Sequence, residues 1–201
     1  MNRLTTFLLP IALVVPVAVI AQASPEPTTV KAGTYAIDPD HTLVQFSVNN
    51  FGFNDYFGTL PGATGTLVLN PAQLAATRLD VSLPVGRIST TNATLDGELK
   101  GADWFDAAKY PTIRFVSQNV TRTGPRTARI SGTVTMHGVS KPMTLDATFG
   151  GAGANPLSKA YTAGFKATGT IKRTDFGVSK YAPLVGDVVT LSITAAFEQK
   201  Q

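Results

Sequence analysis

The 201 residues include no cysteine. That absence excludes a disulfide framework, a zinc–thiolate centre, an iron–sulfur cluster and a cysteine nucleophile. Charge is also scarce. Only 15% of residues are Asp, Glu, Lys or Arg, against about a quarter in an average soluble domain. With so little charge and 43% hydrophobic residues, the composition is not that of a disordered chain. Basic residues form no run: Lys31, Arg78, Arg87, Lys100, Arg114 and Lys166 are dispersed. The clustered patch that nucleic-acid binding requires is therefore missing. There is no internal repeat and no low-complexity tract, and the length allows one domain or two small ones.

The apolar content falls into two parts with different purposes. Met1-Asn2-Arg3 carries one positive charge, and Leu4 to Ile20 is apolar apart from Thr5 and Thr6. Ala21-Gln22-Ala23 then places small residues where a signal peptidase reads. This layout predicts a secretory signal peptide over residues 1–23, cleaved after Ala23. Pro10 and Pro16 interrupt the run, which is short for a membrane span of about 20 residues. An uncleaved anchor is the weaker reading, and the expected location is the periplasm or the exterior. Residues 24–32, with Pro25 and Pro27, read as a flexible lead-in, and residues 33–199 as one folded domain.

From Tyr35 onward the period is two. Leu79, Val81, Leu83 and Val85 alternate with Arg78, Asp80, Ser82 and Pro84. The same rhythm runs through Ile113–Phe115, Ile130–Met136, Met143–Phe149, Tyr161–Ile171 and Val189–Phe197. Strict alternation means one buried face and one wet face, the pattern of antiparallel sheets. Thr occurs 27 times, and its branched β-carbon suits the wet side of a strand. Runs at Thr42–Asn50 and Gly58–Leu69 bring the expectation to about eight long strands, plus a short one near Tyr35. Gly and Pro punctuate the gaps, as at Asn70-Pro71 and Gly150 to Pro156. Thr91 to Tyr110 departs from the pattern and reads as one or two short helices stopped by Pro111.

Strands of this kind hide their apolar faces by closing as a barrel or stacking as two sheets. Gly132, Ala147, Ala163, Ala167, Gly169 and Ala195 lie in register with Leu, Ile, Met and Phe on the oily face. Small residues mixed with large ones leave volume, and an eight-stranded barrel can hold one small ligand. They equally accept bulky partners from a facing wall, as a solid core does. The pattern alone leaves both open.

Several stretches resemble the YceI family of lipid-binding proteins. They are Tyr35-Ala36-Ile37-Asp38-Pro39-Asp40-His41-Thr42, Val44 to Val48 with Phe51-Gly52, and Gly65-Thr66-Leu67. Next come Ile88-Ser89-Thr90 with Asn92, Leu95-Asp96-Gly97-Glu98-Leu99, Asp103-Trp104-Phe105-Asp106 and Tyr110 to Phe115. Gly132 to Pro142, Arg173-Thr174-Asp175-Phe176-Gly177 and Val185-Gly186-Asp187 complete the series. The likeness runs in order along essentially the whole chain after the export segment. It implies an all-β fold: an extended, eight-stranded, lipocalin-like antiparallel barrel with a short helical insertion. It also implies an apolar pore holding a polyisoprenoid or isoprenoid quinone lengthwise, a periplasmic setting, and pairing of two chains as in some members. Two departures stand out. Asn50 replaces a common His, and Leu95-Asp96 with Glu98 replaces a frequent Arg-Asp and His.

A polyisoprene tail has no hydrogen-bonding groups, so its recognition rests on shape and apolar area. On the alternation argument the pore candidates are Leu79, Val81, Leu83, Ile113, Phe115, Val134, Met136, Leu145, Phe149, Phe165, Ala167, Ile171, Leu191 and Ile193. Phe51, Phe53, Tyr56 and Phe57 cluster near a loop where they can line the mouth, and Trp104 and Phe105 can plug one end. No catalytic group, metal or cofactor is expected, apart from a bound lipid or quinone. Two alternatives stand beside this carrier. One is a hydrolase or metal-binding enzyme centred on His41 and His137, although no Gly-x-Ser-x-Gly elbow occurs. The other is a small outer-membrane barrel, whose oily face would point outward.

Overall fold

The computed structural model describes residues 23–200. Nine strands and one α-helix follow one another among them: β1 (Gly33–Asn50), β2 (Asn54–Pro61), β3 (Thr64–Leu69), β4 (Arg78–Pro84), α1 (Ala93–Lys100), β5 (Thr112–Arg122), β6 (Thr127–Met136), β7 (Val139–Ala154), β8 (Tyr161–Lys172) and β9 (Val185–Gln199). Each strand pairs antiparallel with its neighbour. The circuit closes where β1 meets β9, from Tyr35 opposite Gln199 to Asn50 opposite Val185. Closure removes the exposed sheet edges that an open sheet would present.

β2 and β3 together form one stave. Both lie on the same side of β1, β3 against Gly33–Ala36 and β2 against Leu43–Asn50. The run expected as a single strand over Gly58–Leu69 is thus broken at Gly62-Ala63, after Pro61, which has no N–H to donate. Conversely, the short strand near Tyr35 and the run Thr42–Asn50 are one strand. The chain passes between them through a bulge from Asp38 to Leu43, where the Asp38 carboxylate accepts from the backbone N–H groups of Asp40 and His41. The eight-stranded antiparallel barrel is as expected, with β2 as an added strand.

Local chemistry explains the joints. At the β6–β7 turn, Met136 faces Val139 across two residues with positive φ, His137 at 51° and Gly138 at 75°. That is the turn type whose twist matches the strands it joins. α1 begins at Asn92, whose side chain accepts from Thr94 N–H at 3.1 Å and Leu95 N–H at 3.2 Å, a cap that stabilises by about 1 kcal/mol. Asp96 ties the helix back to Thr90, accepting from its N–H at 2.6 Å and its hydroxyl at 2.7 Å. A single helix forms, and turns replace the second.

The expected signal peptide lies outside the described residues except for Ala23. The segment read as a flexible lead-in is held against the barrel. Ser24 N–H donates to Ala152 O at 2.8 Å, and Ala152 N–H returns to Ser24 O at 2.9 Å. Val30 is buried, and the fully buried Tyr35 donates its hydroxyl to Lys31 O at 2.7 Å. Burial pushes the Tyr35 pKa up to about 12. Tyr161 reaches Thr29 O at 3.2 Å. The missing signal was this tyrosine pair, which anchors a proline-rich strap that composition alone describes as loose.

Candidate functional site

The inward side chains do not meet at the barrel axis. They surround two apolar chambers, one of about 230 Å³ towards the strap and one of about 320 Å³ towards α1. Val44, Leu83, Ile113, Val134, Met143 and Leu191 belong to both walls and form a waist shared by the two chambers. All fourteen residues read from alternation as pore candidates stand on these walls. Leu79, Val81, Phe115, Leu145, Phe149, Phe165, Ala167 and Ile193 line the first chamber only. Met136 and Ile171 line the second only, and Leu83, Ile113, Val134 and Leu191 line both.

The small residues divide between the two readings left open above. Ala147, Ala167 and Ala195 face the first chamber and leave it volume. Gly132 and Gly169 do not. A β-carbon on Gly132 would stand 2.7 Å from the Phe115 ring, and one on Gly169 would stand 2.8 Å from a Leu145 methyl. Those glycines seat the bulky neighbour. Ala163 is fully buried in a satellite cluster with Tyr35 and Phe197.

At the α1 end, Phe51, Tyr56, Trp104 and Phe105 line the second chamber. Phe53 and Phe57 do not. β2 sets Tyr56 opposite Val48 with its ring inward, so the alternation turns its neighbour Phe57 to the outer wall. Phe53 lies beyond the last strand pair, in the β1–β2 turn, and is 86% exposed. Pattern near a turn did not reveal which of four close aromatics points in.

Other wall residues are absent from the candidate set. Val44, Phe46 and Val48 on β1 and Leu60 on β2 line the second chamber. Their alternation from Thr42 to Asn50 was the available signal. Leu95 and Leu99 of α1 cover the same chamber, one helical turn apart on one face. Asn50, Leu95 and Glu98, read from the sequence as departures from the resembled pattern, are also on its wall.

Arg173 is the charged group that sequence reading missed. It is buried, yet among the described residues no carboxylate is in direct contact with it. Its guanidinium donates to four backbone oxygens: Gly186 at 2.9 Å, Val178 at 2.8 Å, Lys180 at 2.9 Å and Val185 at 2.8 Å. Burial lowers its pKa, against the opposing pull of Asp187. The planar fork of donors suits this task, which a single ammonium point charge cannot match. Arg173 thereby ties the loop 178–186 to the end of β8 and holds one side of the chamber mouth. Trp104, packed beside it, has the one buried side-chain polar atom without a partner among the described residues, its indole N–H.

Neither histidine lines a chamber. His41 is exposed on the β1 bulge, 2.6 Å from Asp38, and His137 occupies the β6–β7 turn, its ring 2.9 Å from Phe176 O. No cluster of three potential metal ligands occurs among the described residues. The outer wall is polar and carries ion pairs such as Arg114 with Asp80 at 2.8 Å and Arg129 with Asp146 at 2.9 Å. An outer-membrane barrel carries the opposite arrangement, an apolar band facing lipid. No helix among the described residues is long and apolar enough to cross a membrane.

The profile of the YceI-like domain matches residues 35–197. The chain belongs to the YceI-like domain family. A UPF0312 protein of Pseudomonas syringae pv. tomato is 36% identical to this YceI-like chain over 172 residues, covering 85% of this chain and 88% of the relative. Among solved structures, a Campylobacter jejuni YCEI protein superposes with a TM-score of 0.67 at 28% identity, covering 74% of this chain and 88% of that one. Burkholderia cenocepacia BcnA superposes at 0.72 with 22% identity, covering 80% and 98%. A polyisoprenoid-binding domain from Saccharophagus degradans superposes at 0.60 with 13% identity, covering 85% and 100%. The last two likenesses show that the barrel architecture is shared.

Proposed function

We propose that this protein binds a long isoprenoid-type lipid, a polyisoprenoid or an isoprenoid quinone, lengthwise in the joined chambers. It carries or sequesters that lipid outside the cytoplasm and performs no chemistry on it. The observation that supports this most is the continuity of the apolar wall. On β9 alone, lining residues run from Val185 in the second chamber to Phe197 in the first, roughly 40 Å along the strand. A compact ligand needs no such length, whereas an extended prenyl chain does.

The energetics favour an apolar chain. Burial gains roughly 25 cal/mol per Å², so a few hundred Å² of tail contributes several kcal/mol before the cost of association. The tail asks for no hydrogen bond, and the shared waist of Val44, Leu83, Ile113, Val134, Met143 and Leu191 offers no side-chain donor or acceptor beyond a thioether. The Saccharophagus neighbour named as polyisoprenoid-binding has the same architecture, which is consistent with this class of ligand. Export fits the strap: cleavage after Ala23 would leave Ser24, which pairs with Ala152, as the first residue.

Equilibration with a prenyl alcohol and with a saturated fatty alcohol of similar length tests the reading. Stoichiometric uptake of the prenyl chain supports it, and indifference to both chains removes it.

A further inference from the structure

We propose that a collar formed by Phe51, Phe53, Tyr181 and Leu184 docks on the surface of a lipid bilayer, so that cargo passes between membrane and tunnel without crossing water. The inference rests on the carrier reading above. It concerns the outside of the mouth, where Phe53 and Leu184 stand off the chamber wall and Phe51 and Tyr181 belong both to the wall and to the exposed rim.

The four residues come from two loops that meet at one end of the barrel. Phe51 N–H donates to Leu184 O at 3.1 Å, and Val185 N–H donates to Tyr181 O at 2.8 Å. Their exposures are 50% for Phe51, 86% for Phe53, 54% for Tyr181 and 65% for Leu184. Scattered exposed apolar residues need no explanation, but a contiguous group marks an interaction site. This group sits at the mouth itself, because Phe51 and Tyr181 also line the second chamber.

Charge and area select the occupant. Asn50 to Asn54 and Tyr181 to Gly186 contain no Asp, Glu, Lys or Arg. The adjacent Lys180 is already paired with Asp103 at 2.9 Å. The loops can therefore enter the interfacial region of a bilayer without desolvating a charge, which is the main cost of such insertion. A protein partner needs more surface. A standard interface buries about 800 Å² on each side, whereas an aromatic side chain supplies about 150–250 Å² when fully buried. Four side chains already partly covered fall short of that. Insertion into lipid requires only the side chains themselves.

Vesicles of phosphatidylcholine, which carry no net charge, provide the test by co-sedimentation. The full chain is expected to sediment with them, and equally well at about 0.1 M and 1 M salt, since the collar works without charge. Phe53→Asp and Leu184→Asp lie off the chamber wall, and each is expected to weaken binding about tenfold or more. Both should leave the melting temperature and the uptake of a prenyl alcohol from detergent micelles unchanged. Failure of the parent to sediment, or equal sedimentation of the double variant, overturns the proposal. So does a dimer in sedimentation equilibrium that the same substitutions dissolve, since it assigns the collar to a second copy. Uptake from micelles without vesicle binding overturns the docking and leaves the carrier standing. Vesicle binding lost in the double variant, without any prenyl uptake by the parent, supports the docking and removes the carrier.

Discussion

The guanidinium carbon of Arg173 lies 5.6 Å from the centre of the Trp104 ring. This contact joins the end of β8 to the segment after α1 across the second chamber, while four backbone oxygens hold the charge in place. Arg173→Lys keeps the charge but supplies fewer donors in the wrong geometry. It should destabilise the protein by about 1–3 kcal/mol through buried carbonyls left unpaired. Urea unfolding measures this, and faster amide exchange confined to residues 177–186 should accompany it.

Gly132 and Gly86 give opposite forecasts for the same chemical change. A β-carbon at Gly132 would overlap Val116 O and stand 2.7 Å from the Phe115 ring. Since backbone cannot yield cheaply, Gly132→Ala should cost about 1–3 kcal/mol in denaturant unfolding. Nothing lies within 4 Å of the corresponding position at Gly86. Gly86→Ala should therefore stay within about 0.5 kcal/mol of the parent.

Ala167 separates a hollow barrel from a packed one. Its side chain faces the first chamber, so an indole there has space to occupy. Ala167→Trp should unfold within about 1 kcal/mol of the parent, because overpacking penalties of 1–3 kcal/mol arise only where no void exists. The same variant should take up no prenyl chain. Severe destabilisation would place Ala167 in a solid core.

His41 predicts a small pH effect of definite sign. Its hydrogen bond to Asp38, and then the charge of that carboxylate, raise the His41 pKa. Burial alone would raise Asp38, but the His41 hydrogen bond and the Asp40 and His41 backbone N–H groups outweigh it and lower its pKa. A histidine with a raised folded pKa stabilises fully below its ordinary value of about 6.5 and loses that contribution as pH rises through the raised value. The melting temperature of the parent should exceed that of His41→Asn by more at about pH 5.5 than at about pH 8.5. An equal gap at both values would contradict the pair.

The sequence revealed most where periodicity carries information. β4, β5, β6, β7, β8 and β9 alternate cleanly, so the inward set from Leu79 to Ile193 was readable without coordinates. Legibility failed where a tertiary partner decides. Gly132 and Ala167 look alike in a pattern, yet one seats Phe115 and the other borders open space. Phe53 and Phe57 follow a hydrophobic rhythm through a turn, where the rhythm no longer specifies a face. Arg173 was hidden for another reason: its partners are backbone oxygens of a loop, which leave no trace in side-chain composition.

The central claim is that the joined chambers hold a prenyl lipid. Native mass spectrometry of the full protein purified from its own host tests it most directly, with the bound species identified after extraction. The account predicts a stoichiometric adduct whose fragments carry isoprene repeats, and its absence from Ala167→Trp purified in the same way. A parent protein that emerges reproducibly free of lipid, and acquires no prenyl chain when one is offered, would contradict it.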